Sequence, residues 1–326
     1  MRAVSLCLLP AFTLAAPVSA QVASPVEYDA TALPGAIDKN TQAQTANFRS
    51  DAYDRMTVQV MIGGKGPYNF LVDTGADHTV VSSRVAHSLG LDAADPVQLY
   101  TISGHQSVQT ASLGRLEFSQ KTIENVNAAV LEHSNLGADG VLGIDSLRSE
   151  RVTFDFPKGQ MTIVPSANAE QRSPGRETVV VTGKLKAGRL ILTQASANKR
   201  AISVVIDTGS DASIGNPALR RRLQNSGLLH PVGLIQLQSV TGQSITGELM
   251  TIDEFEVGSL IIKDMTIAFA DAPIFETLAL HDRPALLLGM NTIRAFDRVS
   301  IDFASRKFRV VLPRKSSVEN VRLALR

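Results

Sequence analysis

The chain has 326 residues, 44% of them hydrophobic, with one cysteine and no tryptophan, and that length is enough for two modest cores. Its 32 basic and 31 acidic residues leave a formal net charge of +1, so no strong basic field points to nucleic acid or to an anionic membrane. The lone cysteine, Cys7, excludes a disulfide framework and cysteine metal clusters.

Residues 1–20 have the layout of a secretory signal. Arg2 is a minimal positive start, Ala3 to Ala16 is apolar, and Val18-Ser19-Ala20 is a small-residue cleavage site. The apolar run is too short for a good membrane anchor, and no other stretch is long and apolar enough to span a bilayer. Cleavage after Ala20 removes Cys7 and Arg2 and leaves 31 basic and 31 acidic residues, a net charge of zero. The expected location is exported, either periplasmic or secreted. Residues 21–51 are polar with scattered Ala, Pro and Gly and read as a flexible leader or a pro-segment.

From Met56 the chain alternates like a strand to Ile62, turns at Gly63 to Pro67 and returns from Tyr68 to Val72. The glycine-rich turn lacks the Gly-Lys-Ser/Thr ending of a phosphate loop. A short helix is expected from Ser83 to Leu89, closed by Gly90. Leu99 to Ile102 and Ser107 to Thr110 flank Ser103-Gly104-His105-Gln106 as a hairpin. Gly140 to Asp145 leads into one helical turn, and a hairpin from Arg151 to Val164 closes a first unit, residues 52–165. Residues 166–177, with Pro174-Gly175, form a linker. The second unit, 178–313, repeats the first in order: a short helix from Pro217 to Leu223, Leu237 to Ser244 echoing Leu99 to Ser107, Leu286 to Asn291 echoing Gly140 to Asp145, and Arg298 to Phe303 echoing Arg151 to Phe156. Residues 314–326 are a tail, expected to form a helical turn or two. The reading is a mostly β, duplicated, two-lobed protein.

The strongest repeat is Phe70-Leu71-Val72-Asp73-Thr74-Gly75-Ala76-Asp77, which returns as Val204-Val205-Ile206-Asp207-Thr208-Gly209-Ser210-Asp211. Each is a buried-strand pattern that runs straight into a carboxylate at a tight turn, where an unpartnered charge is costly. Two such turns in matching contexts point to two carboxylates sharing one site. Such a pair hydrolyses peptide bonds without metal or side-chain nucleophile: the ionised member activates a water and the protonated member donates to the carbonyl. Gly75 and Gly209 are expected to let the backbone turn tightly, and the hydroxyls of Thr74 and Thr208 to bond across and lock the turns. Turn capping is the bland reading of Asp73 and Asp207.

The chain resembles the aspartic peptidases, and among them the retropepsin-like branch, in a fused two-lobe arrangement. Phe70 to Asp77 with Thr79-Val80 is similar to the retroviral active-site segment. Val141-Leu142-Gly143 and Leu287-Leu288-Gly289 match the second signature, which packs behind each turn. The resemblance covers roughly Met56 to Pro313. It implies two β-barrel-like lobes with the site at their junction, Asp73 and Asp207 as catalytic residues, no cofactor, no metal, and a peptide or protein substrate bound under flaps. Ile102, Ser103, Gly104 and Val240, Thr241, Gly242 would form the flap tips. Ala76, Asp77 and Asp211 would contact substrate, and Ser210 would support its turn. A catalytically complete monomer follows, since each lobe supplies one Asp.

Several positions depart from that pattern. Tyr100 precedes the flap tip. Ile144 and Met290 stand where retroviral members carry an arginine, so Asp77 and Asp211 need other partners or solvent. By the same resemblance, the residue after each glycine lies near its own Asp. A Ser210 hydroxyl donating to Asp207 would make Asp207 the more acidic member and leave the proton on Asp73. Asp145 and Asn291 read as helix caps. His78 is a subsite candidate, while the six histidines show no metal-ligand spacing. The runs Arg220-Arg221-Arg222 and Arg314-Lys315 read as solvated faces. Two other functions fit the same residues: a non-catalytic peptide-binding protein that kept the cleft, and an envelope scaffold built on the two lobes.

Overall fold

The computed structural model describes residues 44–50, 56–118, 121–166, 178–224, 227, 229–313 and 322–325. The signal, residues 21–43 of the leader and nearly all of the linker lie outside the described residues.

Each lobe is a ring of strands closed on itself. In the first, Met56–Ile62 pairs with Lys65–Val72, the ring runs on through Gly140–Leu142, Val80–Ser82, Lys121–Leu131 and Gly104–Phe118, and Phe118 returns to Val60. In the second, Arg189–Ala197, Arg200–Ile206, Ala285–Leu288, Ile214–Gly215, Leu260–Phe269 and Ser244–Val257 form the same ring, closed by Ala195 opposite Val257. Closure removes sheet edges. It also explains the long apolar runs at Phe70 to Val72 and Val204 to Ile206, which are buried at 2% exposure or less: a barrel wall packed on both faces needs no alternation.

The short helix of the first lobe, Ser83–Leu89, matches expectation. The Ser82 hydroxyl accepts from the Val85 N–H, and Gly90 ends the helix at φ +62°, a left-handed cap that glycine adopts freely. Its counterpart is Pro217–Gln224.

A third sheet joins the lobes. Its order is Thr178–Thr182, Lys307–Val311, Arg298–Asp302, Glu150–Asp155, Gln160–Pro165 and Gln44–Ser50. The central antiparallel pair sets Ser300 opposite Thr153 and Arg298 opposite Asp155. Arg298 donates to Asp155 from two nitrogens, at 2.7 and 3.1 Å. Glu150–Asp155 alternates strictly, with Val152 and Phe154 fully buried. The Arg-Val-Ser-Ile-Asp-Phe echo of Arg151 to Phe156 is therefore the seam itself.

Two expectations are corrected. Gln44–Ser50, read as leader, is a strand that pairs with both Gln160–Pro165 and Met56–Ile62 and so belongs to the fold. The tail is not helical where it is described. Arg322–Leu325 is a strand, antiparallel to Leu260–Phe269, with Leu325 opposite Leu260.

Candidate active site

The two Asp-Thr-Gly turns meet at the lobe junction. Lys65–Val72 runs parallel to Gly140–Leu142, and the Asp73 N–H donates to the Leu142 carbonyl at 3.1 Å. In the other lobe Arg200–Ile206 runs parallel to Ala285–Leu288, and the Asp207 N–H donates to Leu288, also at 3.1 Å. The apolar-apolar-Gly motifs thus supply the strand on which each turn is hung.

The threonines lock the turns together, as expected. The Thr74 N–H donates to the Thr208 hydroxyl at 3.0 Å, and that hydroxyl donates to the Val72 carbonyl at 2.7 Å. The reciprocal pair runs from the Thr208 N–H to the Thr74 hydroxyl at 3.1 Å and on to the Ile206 carbonyl at 3.0 Å. Thr74 is 1% exposed and Thr208 0%. Inside the protein such a closed network has no competing water and fixes both turns at once.

The glycines stand beside the carboxyls, and space there, not a left-handed backbone, is what requires them. Neither Gly75 nor Gly209 has a positive φ. A Cβ on Gly75 would stand 2.5 Å from an Asp207 oxygen, and one on Gly209 would overlap the Asp73 carboxyl. Glycine is required for the close approach of each turn to the opposite carboxyl.

The two carboxyls hydrogen-bond to each other, and Asp207 is pushed up from its ordinary 3.8 to about 7. Burial at the cleft floor is the main cause and the adjacent Asp73 the second, while the Gly209 N–H and the positive charge of Arg189 pull the other way. The backbone breaks the symmetry. Gly75 and Ala76 N–H groups both donate to Asp73 Oδ1, at 2.7 and 3.1 Å, whereas Gly209 N–H donates to Asp207 at 3.0 Å. More donors favour the charged form. Asp207 is thus the raised member of the pair, where the sequence expectation had it as the more acidic one. That expectation failed at Ser210, whose hydroxyl donates to the Ala212 carbonyl at 2.8 Å and not to Asp207. Ser210→Ala is accordingly expected to leave the titration of the pair in place, read by carboxyl 13C NMR. A shift of a full pH unit would show that the hydroxyl does reach the pair.

Arg189 is the residue that sequence reasoning missed. It lies at the start of a strand in the second lobe, is 4% exposed, and reaches into the first lobe. Its Nε donates to the Gly75 carbonyl at 2.7 Å and its Nη1 to Asp77 at 2.8 Å. Asp77 thus has its cation, supplied by the other lobe and not by the position of Ile144. The visible signal was slight: one Arg directly before Leu190-Ile191-Leu192. Arg189→Met is expected to cost about 2 kcal/mol, the scale of one hydrogen bond to a charged group. It should also raise the Asp207 titration, because the cation that lowers it is gone. A lower melting temperature with an unmoved Asp207 titration would confine Arg189 to a structural role.

Asp145 and Asn291 are not caps as expected: the caps are Gly143 and Gly289, neither with a side-chain bond, and both residues lie inside the short helices. Asp145 accepts from the Thr79 N–H and hydroxyl, at 3.0 and 2.9 Å, holding the exit of the first turn. Asn291 accepts from Ser213 at 2.8 Å in the equivalent place. Asp211 is exposed. The His78 side chain is 69% exposed, 3.8 Å from Asp145.

The tips of the two hairpins touch each other. The first turns at Ile102-Ser103, with Gly104, expected in the tip, already in the returning strand, and the second turns between Gln238 and Ser244 with Val240 to Gly242 in its tip. The Ser103 hydroxyl donates to the Gln243 side-chain oxygen at 3.4 Å. Ile102 packs on the second lobe's cluster around Ile214 and Leu287. Val240 packs with Ala76 and Leu99 on the first lobe's cluster around Leu71 and Val141. Each tip therefore rests on the opposite lobe. Tyr100 is 49% exposed, its ring tilted against that of His105.

Among the described residues no group of three or more His, Cys, Asp or Glu could hold a metal ion, and no helix is long and apolar enough to cross a membrane. The arrangement can hold one water between a carboxylate and a carboxylic acid, which is the equipment for acid–base hydrolysis. A family profile described as aspartyl protease matches residues 58–146 and 193–292, one segment in each lobe. A search of curated proteins gave no match.

Proposed function

Because the chain belongs to the aspartyl protease family, we propose that it is an exported endopeptidase in which Asp73 and Asp207 activate one water between them. The observation that carries this reading is the pair of cross-bonded turns with hydrogen-bonded carboxyls, one of them pushed up to about 7. Asp73 takes a proton from the water, whose oxygen attacks the peptide carbon. Asp207 gives its proton to the carbonyl oxygen. Asp73 passes the proton it took to the leaving nitrogen, a diol hydroxyl returns a proton to Asp207, and the C–N bond breaks to leave a carboxylic acid and an amine. The uncharged Asp207 is the acid this sequence needs at mildly acidic pH.

Substrate would lie extended beneath the two hairpins, pairing its backbone with them as an added strand does. Ala76, with Ile102 and Val240, gives the cleft apolar walls, which favours apolar residues beside the cleaved bond. Asp77 is committed to Arg189 and orders the first turn; Asp211 keeps the substrate-contact role. Both carboxyls come from one chain, and the shared seam sheet fixes them together, so a monomer is complete. Export rests on Val18-Ser19-Ala20 after an apolar run.

The test is digestion of a proteome-derived peptide library by the protein as the cell matures it, scanned over pH and protein dilution. Internal cleavage is expected, blocked by a pepstatin-type inhibitor, indifferent to chelators, with constant specific activity on dilution and a mature chain that begins at Gln21. Peptide binding without cleavage at every pH would instead favour a cleft that binds and does not turn over.

A further inference from the structure

The run Arg220-Arg221-Arg222 splits in the structure. Arg220 turns to Glu248 at 2.5 Å. Arg221 and Arg222 instead line a hollow of about 490 Å³ together with Arg200, Ala218, Asp282 and Pro284. Arg200 opens the strand Arg200–Ile206, while Arg221 and Arg222 stand in the last turn of the helix Pro217–Gln224. Asp282 and Pro284 lie in the loop ahead of Ala285–Leu288. Three elements thus converge on one concave surface.

None of these three guanidinium groups has a hydrogen-bond or ion-pair partner among the described residues. The last turn of a helix favours cations, which accounts for Arg221 and Arg222 singly, but Arg200 comes from a strand and gains nothing there. All three are exposed, so solvent screens their mutual repulsion, and together they give the hollow a local positive potential that an entering anion would meet. The one acid in the lining is Asp282, 3.9 Å from His281 Nε2. Three cations against one carboxylate leave two positive charges. A phosphomonoester carries about −1.5 to −2 at neutral pH, and the planar guanidinium fork matches phosphate oxygens in pairs.

The hollow is remote from the carboxyl pair. Arg200 and Asp207 sit at opposite ends of one strand, seven residues apart in sequence, or roughly 23 Å at 3.3 Å per residue. A ligand here leaves the cleft open.

We propose that Arg200, Arg221 and Arg222 form an exosite for a phosphomonoester group, which tethers a phosphate-bearing ligand to the second lobe. The probe is glycerol 1-phosphate, titrated into the full mature chain by calorimetry at constant ionic strength, with chloride as the competing anion. Saturable binding at one site is expected. Each single Arg→Gln change should weaken it about two- to fivefold, the scale of one exposed ion pair, and the triple change should abolish it while peptide cleavage stays at the wild-type level. Vesicles of phosphatidylcholine with and without phosphatidic acid separate the sources. Retention on the phosphatidic acid vesicles alone, lost in the triple variant, assigns a lipid headgroup; binding of the soluble ester without retention assigns a soluble ligand. Equal heats for wild type and the triple variant, or no heat with either, overturn the exosite. Because the proteolysis test uses the cleft and this one uses only binding, either can fail without the other.

Discussion

Asp207→Asn is expected to lose about 10²–10⁴-fold in kcat, the range that a positioned acid–base group contributes, and at the same time to melt at a higher temperature near neutral pH. The two effects have one cause. In the fold Asp207 keeps its proton up to about pH 7, whereas the same carboxyl ordinarily loses it near 3.8. Between those values the native chain binds more protons than the unfolded chain, so stability falls as pH rises. Below 3.8 both states are protonated and the penalty is absent; above about 7 it is complete. Asn has nearly the same shape, donates its amide hydrogens to Asp73 and cannot ionise, so the penalty vanishes. Thermal melts of wild type and variant at pH 4 and pH 8 make the check. The wild type should lose stability relative to the variant across that interval. Parallel melting at the two pH values would mean that Asp207 is not held protonated, and unchanged turnover would remove it from the chemistry.

Gly209→Ala is the second large effect, expected at about 100-fold or more in kcat/KM with a fall in melting temperature. The added methyl would overlap the Asp73 carboxyl. It can be accommodated only if the turns separate or Asp73 swings away, and both break the network through Thr74 and Thr208. Overpacking of this kind typically costs 1–3 kcal/mol of stability. Catalysis should suffer more than folding, because a misplacement of about 1 Å at reacting groups costs roughly 10²-fold. Gly75→Ala should behave alike, since its methyl would meet Asp207. Gly233→Ala is the control. Its Cβ would meet nothing within 4 Å and its φ is not in the left-handed region, so activity and stability should stay at wild-type values. If Gly209→Ala matched that control, the two turns would not be as close in solution as the threonine network requires.

These two expectations separate what chain order reveals from what it hides. The duplicated Asp-Thr-Gly, the apolar-apolar-Gly strand behind each copy, the short helix from Ser83 to Leu89 and the family follow from local pattern. Buried strands, caps and tight turns leave marks within a few residues of themselves. The pairing of the two turns was also legible, because a buried carboxylate needs a partner and the repeat offered one. The seam was visible only as the echo between Arg151 to Phe156 and Arg298 to Phe303. That those two segments lie side by side is a property of the folded pair of lobes.

What remained was decided by contacts between distant positions. Gln44–Ser50 has the composition of a leader, yet it fills a place between two strands from opposite ends of its lobe. Arg189 reaches Asp77 across 112 positions, and nothing near either residue announces the other. Ala76 against Ser210 looked like the difference that would place the proton. A hydroxyl chooses among acceptors by geometry, and Ser210 chose the Ala212 carbonyl, while an extra backbone donor at Ala76 favoured the charge on Asp73. The sequence by itself determined that two carboxylates would be brought to the ends of two buried strands, because apolar runs and turns are local. Only the tertiary structure decided which carboxyl of the pair is raised and which lobe supplies the arginine of Asp77, because charge is set by everything within a few ångströms in space.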